Sequence, residues 1–257
     1  MPRLLVDADD FGMSPGVNKG IIKAIQHGIV RNTGVMVNYE HANDARFLLR
    51  EYPYVSLGIH FCIEDQQMIW GPIQKIEQEL DAQVQRFISL VGSPPTYFNG
   101  HRNILRYPRV LLAALRVAKR WRIPFTRSFN LYLPADRLTR FNYYVHHPQR
   151  AIKHLMGKLV TQYMHLYGVR TADRQIFLDP ANYSKKSSLE TWLHIIEILP
   201  EGINEIYCHP GYPDESLAQY ATYVREREIE VEVLTCPELR QAIKDKGIQL
   251  ISFKDLL

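Results

Sequence analysis

Apolar positions recur along the 257-residue chain in two rhythms. Between Val55 and Ile63 they alternate strictly: Val55, Leu57, Ile59, Phe61 and Ile63 take one side, and Ser56, Gly58, His60 and Cys62 take the other. That period of two predicts a strand. Elsewhere the spacing is three and four. Val17, Ile21, Ala24 and Ile25 form one face of a helix that Ser14 and Pro15 open and Gly28 closes. The same logic predicts helices at His41–Tyr52, Ile73–Val91, Pro108–Trp121, Ile152–Tyr167, Ser188–Leu199, Leu217–Arg227 and Pro237–Lys246. Strands are expected at the N-terminal apolar run and at Ile29–Val37, Thr96–Phe98, Ile123–Phe129, Gln175–Leu178, Ile203–Cys208, Val231–Leu234 and Ile248–Phe253. Strand and helix signals alternate, which predicts an α/β fold with a parallel sheet closed or nearly closed into a barrel. Residues 130–173 break the alternation. They read as an aromatic and basic insertion within a single domain spanning 1–257, either a lid over the barrel mouth or a dimer contact.

The chemistry gathers where strands end. The apolar run Leu4-Leu5-Val6 ends in Asp7-Ala8-Asp9-Asp10-Phe11-Gly12. Adjacent strand residues point to opposite faces, so both Asp9 and Asp10 can serve one site only if the backbone turns there; Gly12 makes a turn inexpensive. His60, His101, Arg127 and His209 close their own predicted strands. Sites of parallel α/β folds lie at those C-terminal ends. One Asp and two His from separate strands make a ligand set for a catalytic divalent metal, with a position open for water. A second carboxylate could then accept a proton from water, and a further histidine could protonate a leaving group. Taken singly, each residue has a plainer role: an acid caps the next helix, a strand-end histidine satisfies hydrogen bonds, Arg127 pairs with an acid. His146, His147, His154 and His165 fit polar surface roles, and His27 suits a helix C-terminus.

Composition narrows the class. The chain is 46% hydrophobic and 23% charged, as in an ordinary globular protein. No segment reads as a signal peptide or as a bilayer span. Three cysteines without CxxC spacing argue against a disulfide framework and predict a cytoplasmic setting. The net charge of +4 is mild but uneven, with no acid between Asp81 and Asp136. No nucleic-acid-binding motif accompanies those cations, so no nucleic-acid partner is expected.

Several stretches resemble one family. Asp7-Ala8-Asp9-Asp10-Phe11-Gly12-Met13-Ser14 with Asn18 and Gly20 resembles the opening of the YdjC/ChbG-like carbohydrate deacetylases. Gly28-Ile29-Val30, Met36-Val37-Asn38, Leu57-Gly58-Ile59-His60-Phe61, Pro95-Thr96 and Cys208-His209-Pro210-Gly211 extend the likeness over nearly the whole chain. The region from Tyr143 to Arg174 and the ending after Arg225 resemble the hopanoid-biosynthesis-associated HpnK branch. The resemblance implies a distorted or incomplete (β/α) barrel of the polysaccharide-deacetylase type. It implies removal of acetate from an N-acetylated amino sugar, on an oligosaccharide or a glycolipid. It further implies a divalent metal held by Asp10, His60 and His101, zinc first, with magnesium, nickel or cobalt as alternatives. Asp9 then matches the general base, His209 the general acid, and Arg127 the arginine after the third motif.

The third motif departs from the family. Asn99-Gly100-His101-Arg102-Asn103-Ile104-Leu105 keeps the ligand histidine, but carries Asn where an acid is usual and lacks the later histidines. The departure keeps a competing reading open, a sugar-binding homologue without catalysis. A third reading, phosphoester hydrolysis, lacks the carboxylates that two-metal sites need. Phe141, Tyr143, Tyr144, Tyr163 and Tyr167 of the insertion could stack sugar rings, meet a lipid surface as a peripheral contact, or pack on the barrel. A homodimer through the insertion is also expected from this reading.

Overall fold

A computed structural model describes residues 1–133, 137–176, 188–220 and 223–257. Among the described residues, all strand pairings are parallel. The strands are β1 (Pro2–Phe11), β2 (Asn32–Val35), β3 (Ser56–Phe61), β4 (Tyr97–Gly100), β5 (Phe125–Thr126), β6 (Leu131–Tyr132), β7 (Arg174–Ile176), β8 (Gly202–Cys208) and β9 (Gln249–Ile251). Their order is β5-β4-β3-β2-β1-β8-β7-β6, with β9 against the start of β1. The helices are α1 (Pro15–His27), α2 (Ala45–Glu51), α3 (Ile73–Val91), α4 (Pro108–Trp121), α5 (Arg137–His146), α6 (Pro148–Leu166), α7 (Leu189–Glu197), α8 (Glu215–Tyr220), α9 (Arg225–Thr235) and α10 (Pro237–Asp245). Among the described residues, no helix is long and apolar enough to cross a membrane.

The two ends of the strand order meet at a seam. Thr126 N–H donates to the Arg170 carbonyl at 3.0 Å, and Arg170 N–H to the Pro124 carbonyl at 2.8 Å. Further up, β6 pairs with β7. β5 and β6 are therefore one barrel strand interrupted at residues 127–130, and the barrel is distorted there. The interruption is stabilised from outside the ladder: Ser128 N–H donates to Glu205 and Phe129 N–H to Thr161. Residues 130–173 contribute β6 and the Arg170 bridge to the barrel wall, with α5 and α6 between them.

Alternation along β1 separates two environments. Leu4, Val6 and Ala8 join the core between sheet and helices, while Leu5 faces the lumen. The lumen floor is apolar: Leu5, Tyr97, Phe125, Ala172, Ile251 and Phe253 pack together, with the Tyr97 and Phe253 rings stacked at 4.2 Å. Phe253 N–H donates to Asn32 and Lys254 N–H to Ser56, so the chain's last turn plugs this end. The acidic, histidine and arginine side chains that line a cavity lie at the opposite end, at the strands' C-termini. Gly58 faces the Tyr97 ring on this inner side, and an added Cβ would meet it at 2.5 Å. Stacking on Phe253 and a hydrogen bond to Asp7 fix that ring. Gly58→Ala is expected to lower unfolding free energy by about 1–3 kcal/mol in urea denaturation; an unchanged midpoint would show that Tyr97 yields freely.

Most expected elements are present, α3 and α4 at the predicted boundaries. Three differ. Ile123–Phe129 holds only the two residues of β5 as strand. Leu217–Arg227 is not one helix: α8 stops at Tyr220 and α9 begins at Arg225. Val231–Leu234 is helical within α9, not a strand. The buried residues Arg227, Glu230, Val231 and Leu234 have helical spacing. Two of them are charged, which hid the period from a hydrophobicity reading. β7 covers Arg174–Ile176, and the rest of the predicted strand, Phe177 and Leu178, lies outside the described residues.

Candidate active site

β1 delivers three carboxylates to one end of the barrel. Asp7 and Asp9 share the lumen-facing side of the strand. At Asp10 the backbone adopts φ +73°, a left-handed conformation that Asp tolerates better than most residues. The register with β2 shifts between Ala8 and Phe11. That bulge turns Asp10 to the same cavity as Asp9, and Gly12 follows at φ +100°. The turn required by the sequence therefore occurs at Asp10 itself. Asn18 secures it by accepting from Gly12 N–H at 2.6 Å.

The first cluster is built on Asp10. His60 Nε2 lies 3.2 Å and His101 Nδ1 3.0 Å from Asp10 Oδ1. One ligand atom from each of the three residues lies within 4.8 Å of the others. Arg227 of α9 donates to the other oxygen of Asp10 at 2.6 Å. Burial works to raise the Asp10 pKa, but the hydrogen bonds from His101 and His60 and the Arg227 charge hold it well below the carboxylate range. Burial alone would lower the His60 pKa, whereas Asp9 and Asp10 raise it. The pocket thus favours positive charge between these side chains. With one carboxylate and two imidazoles converging, the donor set fits a divalent cation.

Asn99 sets the orientation of His60. Its Oδ1 lies 2.6 Å from His60 Nδ1, which leaves Nε2 on the Asp10 side. Its Nδ2 donates to Asp7 and to Asp9, each at 2.9 Å. The residue that departs from the family motif therefore keeps the imidazole acceptor. It also supplies two donors to carboxylates, which an acid in its place could not do.

The second cluster surrounds Arg127, at the break between β5 and β6. Its guanidinium donates from Nη1 to Asp9 Oδ2 at 2.9 Å and from Nη2 to Asp9 Oδ1 at 2.6 Å, a bidentate pair. It also reaches Asp7 at 2.8 Å and Glu205 at 3.4 Å. One cation faces three buried carboxylates. Burial pushes Glu205 up to about 8, with repulsion from Asp7 adding to it and Arg127 opposing. Asp7 is also raised, by burial before repulsion from Asp9. Asp9 behaves oppositely: burial is outweighed by Arg127 and His60, and its pKa falls below the ordinary value. Arg127 and His60 thus favour the charged form of Asp9, while burial opposes charge on Asp7 and Glu205 deeper in the lumen.

His209, following β8, lies 3.8 Å from Asp9 through Nε2. Its backbone N–H donates to Glu230 of α9 at 2.5 Å. Asp9, Asp10, His60, His101, Arg127 and His209 all line one cavity of about 240 Å³. His27, His146, His147, His154 and His165 do not join its lining. Sequence reasoning missed Asp7, Tyr97, Glu205, Arg227 and Glu230. Glu205 and Asp7 carried a usable signal, as acids on the lumen side of apolar strands. Arg227 and Glu230 did not, because their helix was misassigned.

The class is a parallel α/β barrel with carboxylate, histidine and arginine side chains converging at its strand ends. The family follows: the YdjC-like protein pattern matches residues 3–245, and the chain belongs to that family. It is 27% identical to a carbohydrate deacetylase of Brevibacillus brevis over 99% of each chain. It is 29% identical to a chitooligosaccharide deacetylase of Serratia marcescens over 98% of each. Among solved structures, it is similar to a "putative cellobiose-phosphate cleavage protein" of Enterococcus faecalis V583 (TM-score 0.77, 26% identity, 99% of this chain and 98% of that one). A peptidoglycan N-acetylglucosamine deacetylase shares the fold at TM-score 0.54 and 11% identity, over 99% of this chain and 87% of that one. The fold is of the polysaccharide-deacetylase type.

Proposed function

We propose that this protein is a metal-dependent N-deacetylase of an N-acetylated amino sugar, of the HpnK branch of its family. The reading is carried by one observation: Asp9 and His209 stand 3.8 Å apart beside the Asp10, His60 and His101 cluster in a single cavity. The naming of relatives as carbohydrate and chitooligosaccharide deacetylases supports the same chemistry. Asp10, His60 and His101 would hold the metal. Zinc is the first choice for such ligands, and magnesium, nickel or cobalt are alternatives. When bound, the ion supplies Lewis acidity toward an amide carbonyl and toward water. Asp9 accepts the proton of the water that adds to the acetamide carbon. Arg127 and Asn99 fix its carboxylate for that transfer. His209 donates a proton to the sugar nitrogen as the C–N bond breaks, because an unprotonated amine leaves poorly. Acetate and the free amine are the products.

A second cavity bears on the substrate. A groove of about 840 Å³ between α4 and α6 shares Asn103 and Tyr207 with the catalytic cavity. Leu105, Leu111, Phe129, Met156, Leu159 and Ile176 make its walls largely apolar. It supports a glycolipid, with the amino sugar at the metal cluster and the apolar aglycone along the groove.

Acetate release is the test, from N-acetylglucosamine oligomers and from an N-acetylglucosaminyl lipid. Release is expected to stop with chelator, to return with zinc, and to be faster from the lipid. Bound metal is expected to disappear in His60→Ala. A protein that binds no metal and releases no acetate from either would instead be the non-catalytic homologue.

A further inference from the structure

We propose that the exposed apolar face of α6, which borders the groove toward α4 through Ile152, Met156, Leu159 and Tyr163, docks the protein on an anionic lipid bilayer. Ile152, Leu155, Met156, Leu159, Tyr163 and Leu166 recur at spacings of three and four, so they form one stripe along the helix. All six are exposed, Leu155 by 59% and Leu166 by 85%. The opposite side holds the helix on the barrel. Gly157, Thr161 and Met164 are buried there, Thr161 accepts from Phe129 N–H, and Gly157 leaves room for the Phe129 carbonyl. The stripe is therefore not the face that α6 uses for folding. Phe141 and Val145 of α5 add exposed apolar surface one turn apart. A cluster of large apolar side chains in water marks an interaction surface.

Charge selects the occupant. Exposed Lys153 and Lys158 flank the stripe on either side. From Arg137 to Ala172 the sequence contains no Asp or Glu. Among the described residues lining the adjoining groove, the charged ones are Arg106 and Lys153, both cationic. An apolar stripe edged by lysines suits the interface of an anionic membrane: the leucines enter the acyl boundary and the ammonium groups reach the headgroups. Pairing this face with a second copy would bring like charges together. The same arrangement sets the open groove against the bilayer, where an amphiphile could pass toward the catalytic cavity. Docking does not depend on the deacetylase reading, and its assay is independent of activity.

The full-length protein would be sedimented with vesicles of phosphatidylcholine, and of phosphatidylcholine mixed with phosphatidylglycerol. Binding to the anionic vesicles is expected to exceed binding to the neutral ones by about tenfold or more, and to weaken with salt. The double variant Leu155→Asp with Leu166→Asp, at two positions outside the groove lining, is expected to lose about tenfold or more of that binding. Its circular dichroism and its acetate release from soluble oligomers are expected to match the unaltered protein. Lys153→Glu with Lys158→Glu gives a second route and is expected to remove the preference for anionic vesicles. Equal binding to both vesicle types, or none to either, would overturn the proposal. So would a dimer in buffer that the leucine variant dissociates while vesicles leave it intact; the face would then belong to a second copy of the chain.

Discussion

Arg127→Met is expected to lower the unfolding free energy by about 3–5 kcal/mol at neutral pH. Methionine fills much of the space but leaves Asp7, Asp9 and Glu205 without the cation that all three face. Each of those carboxylates is buried. Removing one partner of a buried ionic network costs more than the network gains, because the remaining charges keep their desolvation. The deficit should depend on pH in a defined direction. Glu205 already has its folded pKa raised to about 8 by burial, from an ordinary 4.5. A carboxyl raised in this way contributes most below its unfolded pKa, and its contribution is lost as pH rises through the folded value. Without Arg127 the rise is larger, so the variant should be closest to the unaltered protein near pH 5 and furthest from it near pH 9. Urea denaturation at both ends measures this. Equal stability at high pH would mean that Arg127 does not carry the network.

Asp9→Asn is expected to reduce acetate release by about 10²–10⁴-fold, the usual contribution of a general base. The substitution is nearly isosteric and retains a carbonyl oxygen toward Arg127 and Asn99. Asp10, His60 and His101 are unaltered, so metal content should remain that of the unaltered protein. Asp10→Asn is the contrasting variant: it should lose activity and metal together. The pair separates proton transfer from ligation, two roles that adjacent carboxylates of one strand would otherwise blur. Release by Asp9→Asn at more than about a tenth of the normal rate would remove Asp9 from the base role.

Asn99 illustrates where a motif comparison needs the structure. By sequence it is a lost acid, and a weakened metal site is the natural concern. In the lumen it accepts from the His60 side and donates to two carboxylates at once. A fourth carboxylate beside Asp7, Asp9 and Glu205 would need further neutralisation. The amide is consistent with the charge already present, which local sequence does not reveal.

The sequence by itself determined the apolar run of β1, the alternation along β3, the helices α1, α3 and α4, and the placement of six polar residues at strand ends. These depend on residues close in the chain, where periodicity and capping act directly. It also pointed to a backbone turn at Asp9-Asp10. The tertiary structure decided what those ends do to one another. Arg127 meets Asp9 across 118 positions and Arg227 meets Asp10 across 217, contacts that exist only once the barrel is closed. Closure also decided that β5 breaks before β6 and that Arg227 and Glu230 can be buried in the helix through residues 231–234, since Asp10 and the His209 N–H meet them from distant parts of the chain, beside the local contacts with Tyr223. Hydrophobic period reports which side of an element leaves water; it does not report which buried charge will find its counterpart, and in this barrel that pairing makes the site.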